Sequence, residues 1–318
     1  MESSTTEHGK TAIHLKAQGE IVWLTQMEIA DLFQTTKKNI SLHIKNILST
    51  NELSEAVVKD NLTTATDGKR YKTKLYNLSM ILKGEWMSNF VLVHGGMIGG
   101  NCWQNVRRIL EHKQHAVLAP TLTGLGERKH LSCPDINLET HIQDVLNTII
   151  YEELDNVVLI GHSYGGMVIT GVADRIPRKI KKLIYVAAVL PKDGESMFDA
   201  VGPEISSFLS KGAQEGNGWE VPAGTPQSYG IHAPEMIGWF VKMSTPHPLE
   251  SFQQKLHLRN ISFHDIEKVY IKCSQDKALD AMASRAKDMK ISSCEINSGH
   301  FPMLTTPEAL ADLFLTQV

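Results

Sequence analysis

Short apolar runs alternate with amphipathic segments through most of the chain after residue 86. The runs are rich in Val, Ile and Leu, which is typical of strands covered on both faces. They occupy residues 89–94, 115–120, 156–161, 182–190 and 268–273. Helical periodicity lies between them, for example at 103–112 and 138–152. The alternation predicts a mostly parallel sheet with helices on both faces.

Residues from about 191 to 262 break this alternation. They are rich in Gly, Pro, Met and Trp, and we expect them to form a lid over the carboxyl edge of the sheet. Met197, Phe198 and Trp239 are candidates for an apolar substrate pocket beneath it. For each of these side chains, packing of the lid onto the sheet is an equally good interpretation.

The first 86 residues follow a different pattern. Helical periodicity covers 26–33 and 37–48, with Thr25 as a suitable N-cap, and a strand hairpin over 62–78 turns at Asp67-Gly68. A helix–turn–helix followed by a basic hairpin is a winged-helix arrangement, whose cations suit DNA phosphates. Its candidate DNA-binding residues are Lys37, Lys38, Asn39, His43, Lys69 and Arg70. Because acidic and basic residues nearly balance here, a solvated helical segment without a ligand is the alternative.

Composition narrows the choice of function. The formal net charge of −3 gives the whole chain no attraction to nucleic acid or to an acidic membrane. No apolar run is long enough to cross a membrane, and the polar, acidic start does not look like a signal peptide, so we expect a cytoplasmic protein. The four cysteines lack the spacing of a metal site or of a disulfide framework. We therefore expect reduced thiols, no metal and no cofactor.

A candidate nucleophile lies directly after the apolar run at 156–161. Gly161-His162-Ser163-Tyr164-Gly165 is a G-x-S-x-G motif between a predicted strand and a predicted helix. A sharp turn there would expose the Ser163 hydroxyl, and the flanking glycines avoid clashes in the tight geometry. The positive end of the following helix favours developing negative charge. The context predicts a nucleophilic serine.

The loop after the first apolar run is a candidate oxyanion site. It reads His94-Gly95-Gly96. In folds with this type of serine turn, such a loop supplies one backbone N–H, and the residue after the nucleophile supplies the other. The predicted pair is Gly96 and Tyr164. A simple glycine turn is the alternative.

Chain order suggests the base and the acid. His300 follows a short predicted strand at 291–296, on a loop that can reach back to Ser163. Asp276, just after the run at 268–273, would hold the imidazole in its working tautomer. Asp280, which is also suited to capping a helix, and Asp193 are the other candidates for the acid.

From residue 89 to the end, the chain resembles bacterial esterases of the α/β-hydrolase superfamily, relatives of the plant methylesterases and hydroxynitrile lyases. The matching stretches are FVLVHGG (90–96), PTLTGLGER (120–128), VVLIGHSYGGMVITGVADRIP (157–177), PKDGES (191–196) and TPHPLESF (245–252). The resemblance implies the α/β-hydrolase fold. It places the nucleophile on Ser163, the histidine on His300 and the acid on Asp276, with oxyanion amides on Gly96 and Tyr164.

Two departures from the group bear on the substrate. Many relatives carry Trp-His-Gly shortly after the HG pair, where this chain has Met97-Ile98-Gly99, so Met97, Ile98 and Phe301 are expected to form a more apolar pocket mouth. The similar lyases carry a lysine after the catalytic histidine and a threonine in the oxyanion loop, where this chain has Phe301 and Gly95. The resemblance therefore favours a serine carboxylesterase for small or medium esters, with lyase-type activity as an alternative.

Residues 22–82 resemble the start of bacterial RhuM-type proteins, in VWLTQMEIADLFQTTKKNISLHIKNIL and TTATDGKRYKTKLYNL. The match stops near Leu82, and Met87 is a natural start for the hydrolase. We predict a winged-helix-like RhuM-type fragment at 1–86 fused to an α/β-hydrolase domain at 87–318. An alternative from another class is a DNA-binding regulator whose hydrolase domain senses a ligand, although pure sensing would not need an intact triad.

Overall fold

A computed structural model describes residues 16–18, 21–32, 36–49, 58–64, 70–77 and 88–318. The chain divides into two compact units, Met1–Met87 and Ser88–Val318. Within the described ranges, no helix combines the length and the apolar character needed to span a bilayer.

The described residues of the first unit form an antiparallel sheet and two helices. The strands are β1 (Lys16–Gln18), β2 (Ile21–Leu24), β3 (Val58–Thr64) and β4 (Arg70–Asn77). Their order in the sheet is β1-β2-β4-β3, with every neighbouring pair antiparallel. The helices are α1 (Gln26–Leu32) and α2 (Lys37–Ser49). Both predicted helices and the predicted hairpin are present, and the first hairpin strand begins at Val58 instead of Leu62.

Side chains fix the starts of both helices. Thr25 Oγ accepts the Glu28 N–H at 3.2 Å, and the Glu28 carboxylate accepts the Thr25 N–H at 2.6 Å. This reciprocal pair satisfies two N–H groups that a helix leaves without partners. At the start of α2, Thr36 Oγ accepts the Asn39 N–H at 3.2 Å. Thr25 is thus the N-cap that its position predicted.

The candidate DNA-binding residues that the structure describes fall on two elements of the first unit. Lys37 and Lys38 are exposed in the first turn of α2. The other candidates lie in α2 (Asn39 and His43), at the start of β4 (Arg70) and outside the described residues (Lys69). The winged-helix assignment and the DNA contacts stay predictions.

The second unit is built on a six-stranded parallel sheet. The strands of this unit, two of which pair in the lid, are β5 (Asn89–Val93), β6 (Ala116–Leu118), β7 (Val157–His162), β8 (Ile180–Val186), β9 (Glu220–Val221), β10 (His247–Pro248), β11 (Glu267–Cys273) and β12 (Ser292–Ile296). The large sheet has the order β12-β11-β8-β7-β5-β6. Each of its neighbouring pairs is parallel, which confirms the predicted sheet.

One predicted strand is too long. The apolar run at 182–190 predicts a strand throughout, but β8 ends at Val186. Ala187 has a φ of 39°, so the backbone leaves the extended conformation there. The Ala187 carbonyl instead accepts the Ser163 N–H at 3.1 Å. The end of the run is therefore buried because it supports the turn at Ser163.

Ten helices pack around this sheet or cover its edge within residues 88–318. They are α3 (Gln104–His112), α4 (Leu138–Tyr151), α5 (Gly165–Arg175), α6 (Met197–Val201), α7 (Pro203–Glu215), α8 (Pro234–Met243), α9 (Glu250–Gln253), α10 (Asp280–Asp288), α11 (Pro302–Thr305) and α12 (Pro307–Leu315). Residues 191–262, the predicted lid, contain α6 to α9 and the antiparallel pair β9–β10.

The alternation of side chains along β5 divides the core into two layers. Val91 and Val93 join an apolar cluster with α4 and α5. Phe90 and Leu92 join a second cluster, on the other face, with α3 and α12. All four side chains are fully buried, and burial contributes about 25 cal/mol for each Å² of apolar surface. The covered faces hold the carboxyl ends of the strands, and the loops that follow them, in fixed positions.

Candidate active site

Ser163 occupies a strained turn between β7 and α5. Its φ is 52°, in the left-handed region that non-glycine residues seldom adopt. The turn needs glycines on both sides. A Cβ at Gly161 would lie 2.7 Å from the Gly165 carbonyl oxygen, and a Cβ at Gly165 would lie 2.7 Å from the His94 carbonyl oxygen. The motif thus lets β5, β7 and α5 approach closely while the Ser163 side chain remains on the outside of the turn.

Three side chains from separate loops form a hydrogen-bonded chain. His300 Nε2 lies 3.0 Å from Ser163 Oγ, and His300 Nδ1 lies 2.6 Å from Asp276 Oδ2. With Nδ1–H donating to the carboxylate, Nε2 is left to accept the serine proton. The His300 and Asp276 side chains are only 12% and 8% exposed. The structure therefore brings the three predicted residues together in the order that activates a serine.

The Asp276 carboxyl is held in its charged form. Burial alone raises its pKa, but hydrogen bonds from His300 and the Ala278 N–H, together with the charge of His300, outweigh burial and lower the pKa below the ordinary value. The Ala278 N–H donates to Asp276 Oδ1 at 3.1 Å. A carboxylate in this position can stabilise a positive imidazole.

The other two candidates for the acid have different partners. Asp280 opens α10 and forms an ion pair with Lys272, with 2.8 Å between Oδ1 and Nζ. Asp193 accepts the Leu258 N–H at 2.8 Å and is mostly exposed. The structure therefore favours Asp276 among the three.

Gly96 and Tyr164 lie beside Ser163 and His300 on the wall of one cavity. His94 orients the first of them. His94 Nε2 accepts the Leu122 N–H at 3.0 Å, so its Nδ1–H donates to the Gly95 carbonyl oxygen at 2.7 Å. In a trans peptide the N–H points away from the carbonyl, so the N–H of Gly96 points away from His94. The role of the Gly96 and Tyr164 N–H groups as oxyanion donors stays a prediction.

Sequence reasoning missed the role of His162 inside the serine motif. This histidine is fully buried, and its Nε2–H donates to the His300 carbonyl oxygen at 2.7 Å. Burial is the main cause of its pKa lying well below the ordinary value, and the nearby charge of His300 lowers it further. A neutral His162 thus joins the loop of His300 to the turn of Ser163. Its place between Gly161 and Ser163 was the only signal for this role.

The cavity above Ser163 is small and mostly apolar, with a volume of about 160 Å³. Met97, Met197 and Phe301 line it, in agreement with their predicted place, whereas Ile98, Phe198 and Trp239 do not. Ile98 and Trp239 pack with the second core cluster, and Phe198 packs against the Phe252 ring. Lining residues that the sequence did not indicate are Val189, Val201, Ile205, Leu209, Ser228, Tyr229, Phe252, Ala278 and Leu279.

The lining carries little charge. Among the described residues that form the cavity wall, Asp276 supplies a carboxylate and His300 an imidazole, and there is no lysine or arginine. The Tyr229 ring stacks on His300 at 5.7 Å, and its carbonyl oxygen accepts the His300 N–H at 3.0 Å. In the parts of the chain that the structure describes, no cluster of His, Cys, Asp or Glu is arranged to hold a metal ion. The site suits a neutral molecule with apolar substituents.

Comparison with known proteins agrees with this architecture. The model of the alpha/beta hydrolase family matches residues 90–313, and the chain belongs to this family. An extracellular alpha/beta-hydrolase from a Paenibacillus species has a similar structure, with a TM-score of 0.65 and 23% identity, covering 72% of this chain and 98% of that one. At that identity the likeness concerns the fold.

Relatives in sequence include named esterases. A carbendazim hydrolyzing esterase from Nocardioides sp. (strain SG-4G) is 54% identical over 125 residues, which are 38% of this chain and 52% of that protein. The match thus spans about half the length of that relative. Methylesterase 1 of Arabidopsis thaliana is 26% identical over 253 residues, which are 71% of this chain and 94% of that protein.

Proposed function

We propose that this hydrolase is a serine carboxylesterase for small or medium carboxylic esters. The observation that carries the proposal is the chain from Ser163 through His300 to Asp276, at distances of 3.0 and 2.6 Å, on the wall of an apolar cavity. A serine hydroxyl is a weak nucleophile unless a base takes its proton, and this arrangement supplies one. The names of the esterase relatives support the same class of substrate.

The proposed reaction proceeds in two halves. Ser163 Oγ attacks the ester carbonyl carbon while His300 Nε2 takes the hydroxyl proton, and the charged Asp276 stabilises the resulting imidazolium. The N–H groups of Gly96 and Tyr164 bind the negative oxygen of the tetrahedral intermediate. His300 returns the proton to the departing alcohol, which leaves an acyl group on Ser163. Water, activated by His300, then releases the acid.

The size and charge of the cavity support this substrate class. A volume of about 160 Å³ holds a short acyl or alkyl chain, and Ile205 and Leu209 on one side of α7 give that space an apolar wall. The absence of a cation from the lining, within the described residues, disfavours polyanionic substrates. It also argues against the lyase alternative, since Phe301 offers no charge to a departing cyanide.

A substrate panel tests this proposal. With p-nitrophenyl esters of increasing acyl length, we expect kcat/KM to rise over short chains, because each buried methylene contributes about 0.8 kcal/mol. It should then fall for chains that outgrow the cavity, and carbendazim belongs in the panel because of the named relative. Mandelonitrile should release no cyanide. Robust cyanide release, or a steady preference for the longest chains, would assign the site to another class.

The runner-up function is DNA binding by the first unit. A groove there is lined by Lys37, Lys72 and Lys74 together with the residues at the start of α1. Lys72 already pairs with Asp60 at 2.7 Å, so Lys37 and Lys74 are the cations offered to a phosphate. If DNA binding is the main function, the hydrolase unit would serve as a ligand sensor. Sensing alone does not need an intact triad, which favours the esterase function.

Removing the first unit separates the two functions. We propose that residues 87–318 are an independent domain, so a chain starting at Met87 should stay soluble and keep most of the esterase activity. Activity and thermal unfolding of the shortened and full chains are the measurements. In a gel-retardation assay, DNA binding should be weak, sensitive to salt and seen only with the full chain. Loss of solubility or activity on truncation would mean that residues 1–86 are part of the enzyme's fold.

A further inference from the structure

Residue Met97, directly after Gly96, is held by the lid. Its φ of 62° is in the left-handed region, which is strained for a residue with a side chain. Both of its backbone polar groups bond to the lid segment 245–247. The Thr245 N–H donates to the Met97 carbonyl oxygen at 2.9 Å, and the Met97 N–H donates to His247 Nδ1 at 3.3 Å. The strained conformation is therefore maintained by contacts 150 residues away in the sequence.

His247 is itself fixed in one orientation. Its Nε2 lies 2.7 Å from Ser251 Oγ, and the Ser251 hydroxyl donates to the Pro248 carbonyl oxygen at 2.8 Å. Since Ser251 uses its proton there, Nε2–H is the donor to Ser251 and Nδ1 is the acceptor for Met97. The imidazole also stacks on Phe252, with 4.1 Å between centroids and 12° between planes.

Burial keeps this histidine neutral, as the contact with Met97 requires. The residue is fully buried, and this lowers its pKa well below the ordinary value, with the charges of His141 and His94 adding to the effect. A protonated Nδ1 would repel the Met97 N–H instead of accepting it.

The same imidazole contacts the other oxyanion residue. The rings of His247 and Tyr164 meet edge to face at 4.9 Å. The Tyr164 hydroxyl donates to His141 Nδ1 at 2.8 Å, and His141 Nε2–H donates to the Thr123 carbonyl oxygen at 2.9 Å. His247 thus contacts Met97, the neighbour of one predicted oxyanion residue, and the ring of the other, Tyr164.

We propose that His247 is a positioning residue for the oxyanion hole, acting through the Met97 N–H. This proposal rests on the proposed esterase function. His94 fixes the peptide before Gly96, and His247 fixes the peptide after it. Between them, Gly96 has no side chain to restrict its two dihedral angles, so both peptide planes must be held from outside. Loss of the His247 contact leaves the second plane free and lets the Gly96 N–H move away from the developing oxyanion.

Three substitutions at His247 separate positioning from packing. His247→Asn places a side-chain oxygen near the position of Nδ1, and His247→Gln places a polar group near Nε2, while His247→Leu has neither. All three lose the stacked ring. We expect kcat to fall about 10²-fold in the Leu and Gln variants, with KM changed less than about threefold, because a transition-state donor is displaced. The Asn variant should retain kcat within about tenfold of the parent.

Inhibition by phenylboronic acid supplies an independent measurement. Its tetrahedral adduct with Ser163 places an oxygen in the oxyanion hole, so its affinity should fall in parallel with kcat. His257→Leu is the matched control, because His257 is an exposed histidine of the same lid and should leave both values unchanged. Equal losses in the Asn and Gln variants, or an unchanged kcat in the Leu variant, would overturn the proposal.

The activity of the parent enzyme distinguishes failure of the esterase proposal from failure of the positioning proposal. If the parent has no esterase activity, the proposed function is wrong. If the parent is active and substitutions at His247 do not change kcat, only the positioning role is wrong. If the three variants unfold, Ser251→Ala keeps the imidazole and removes the acceptor of Nε2–H, together with the bond from the Ser251 hydroxyl to the Pro248 carbonyl oxygen. We then expect kcat and boronate affinity to fall at constant KM, and no change in either would contradict the proposal.

Discussion

The Ser163→Ala variant should lose about 10⁶-fold in kcat for ester hydrolysis while its thermal unfolding stays near that of the parent. Without Oγ no acyl-enzyme can form, and the loss corresponds to about 8 kcal/mol of transition-state stabilisation. The hydroxyl contributes little to the fold, since its bond to His300 is made at the cavity wall. Steady-state kinetics with a p-nitrophenyl ester and a thermal melt are the measurements.

Ser228 provides the control for this experiment. It also lines the cavity, but its hydroxyl donates to the Thr225 carbonyl oxygen at 2.7 Å instead of to His300. Ser228→Ala should therefore stay within about threefold of the parent. Substantial turnover by Ser163→Ala would mean that another group attacks the ester, and the proposed mechanism would have to be abandoned.

Asp276→Asn should lower kcat by about 10⁴-fold, or about 5 kcal/mol. An amide cannot stabilise the imidazolium as a carboxylate does, and its NH₂ group favours the tautomer of His300 that holds the proton on the wrong nitrogen. KM should change little, because the carboxylate acts through His300. Kinetics over a range of pH would show the loss at every value where the parent is active.

Asp280→Asn is the matched comparison for the acid. Asp280 is four residues further along and pairs with Lys272 at the start of α10, so its loss should change kcat by no more than about threefold. If Asp280→Asn were the more damaging of the two substitutions, Asp276 would not be the acid.

The residues set by local geometry were the ones that the sequence could predict. Ser163 must follow a strand, precede a helix and lie between glycines, and these requirements fall within a few consecutive positions. The parallel strands were recognisable because both of their faces are covered. The length of β8 was overestimated because its apolar run continues beyond the strand, into residues that support the Ser163 turn. Strand ends, unlike strand centres, depend on what the next loop must do.

The residues set by distant contacts could not be predicted. The sequence has 14 histidines, and nothing in the neighbours of His247 indicates that it accepts a hydrogen bond from Met97. The pocket lining could not be predicted for the same reason. Phe198 and Trp239 have the apolar character of lining residues, but the rotation of each lid helix about its axis decides which side chains face the cavity. Helix α7 supplies Ile205 and Leu209.

The glycines around Ser163 and the α7 residues that line the cavity differ greatly in their tolerance to mutation. Around Ser163, a Cβ at Gly166 would lie 2.0 Å from the Val189 carbonyl oxygen, so even alanine would force the backbone apart. Ile205 and Leu209 on α7 also line the cavity but are only half-buried, so larger or smaller side chains are easier to accommodate there than at the glycines. Substrate range can therefore diversify through α7 while the reaction chemistry stays fixed. A library of variants for new esters should concentrate on these two positions and leave the glycines unchanged.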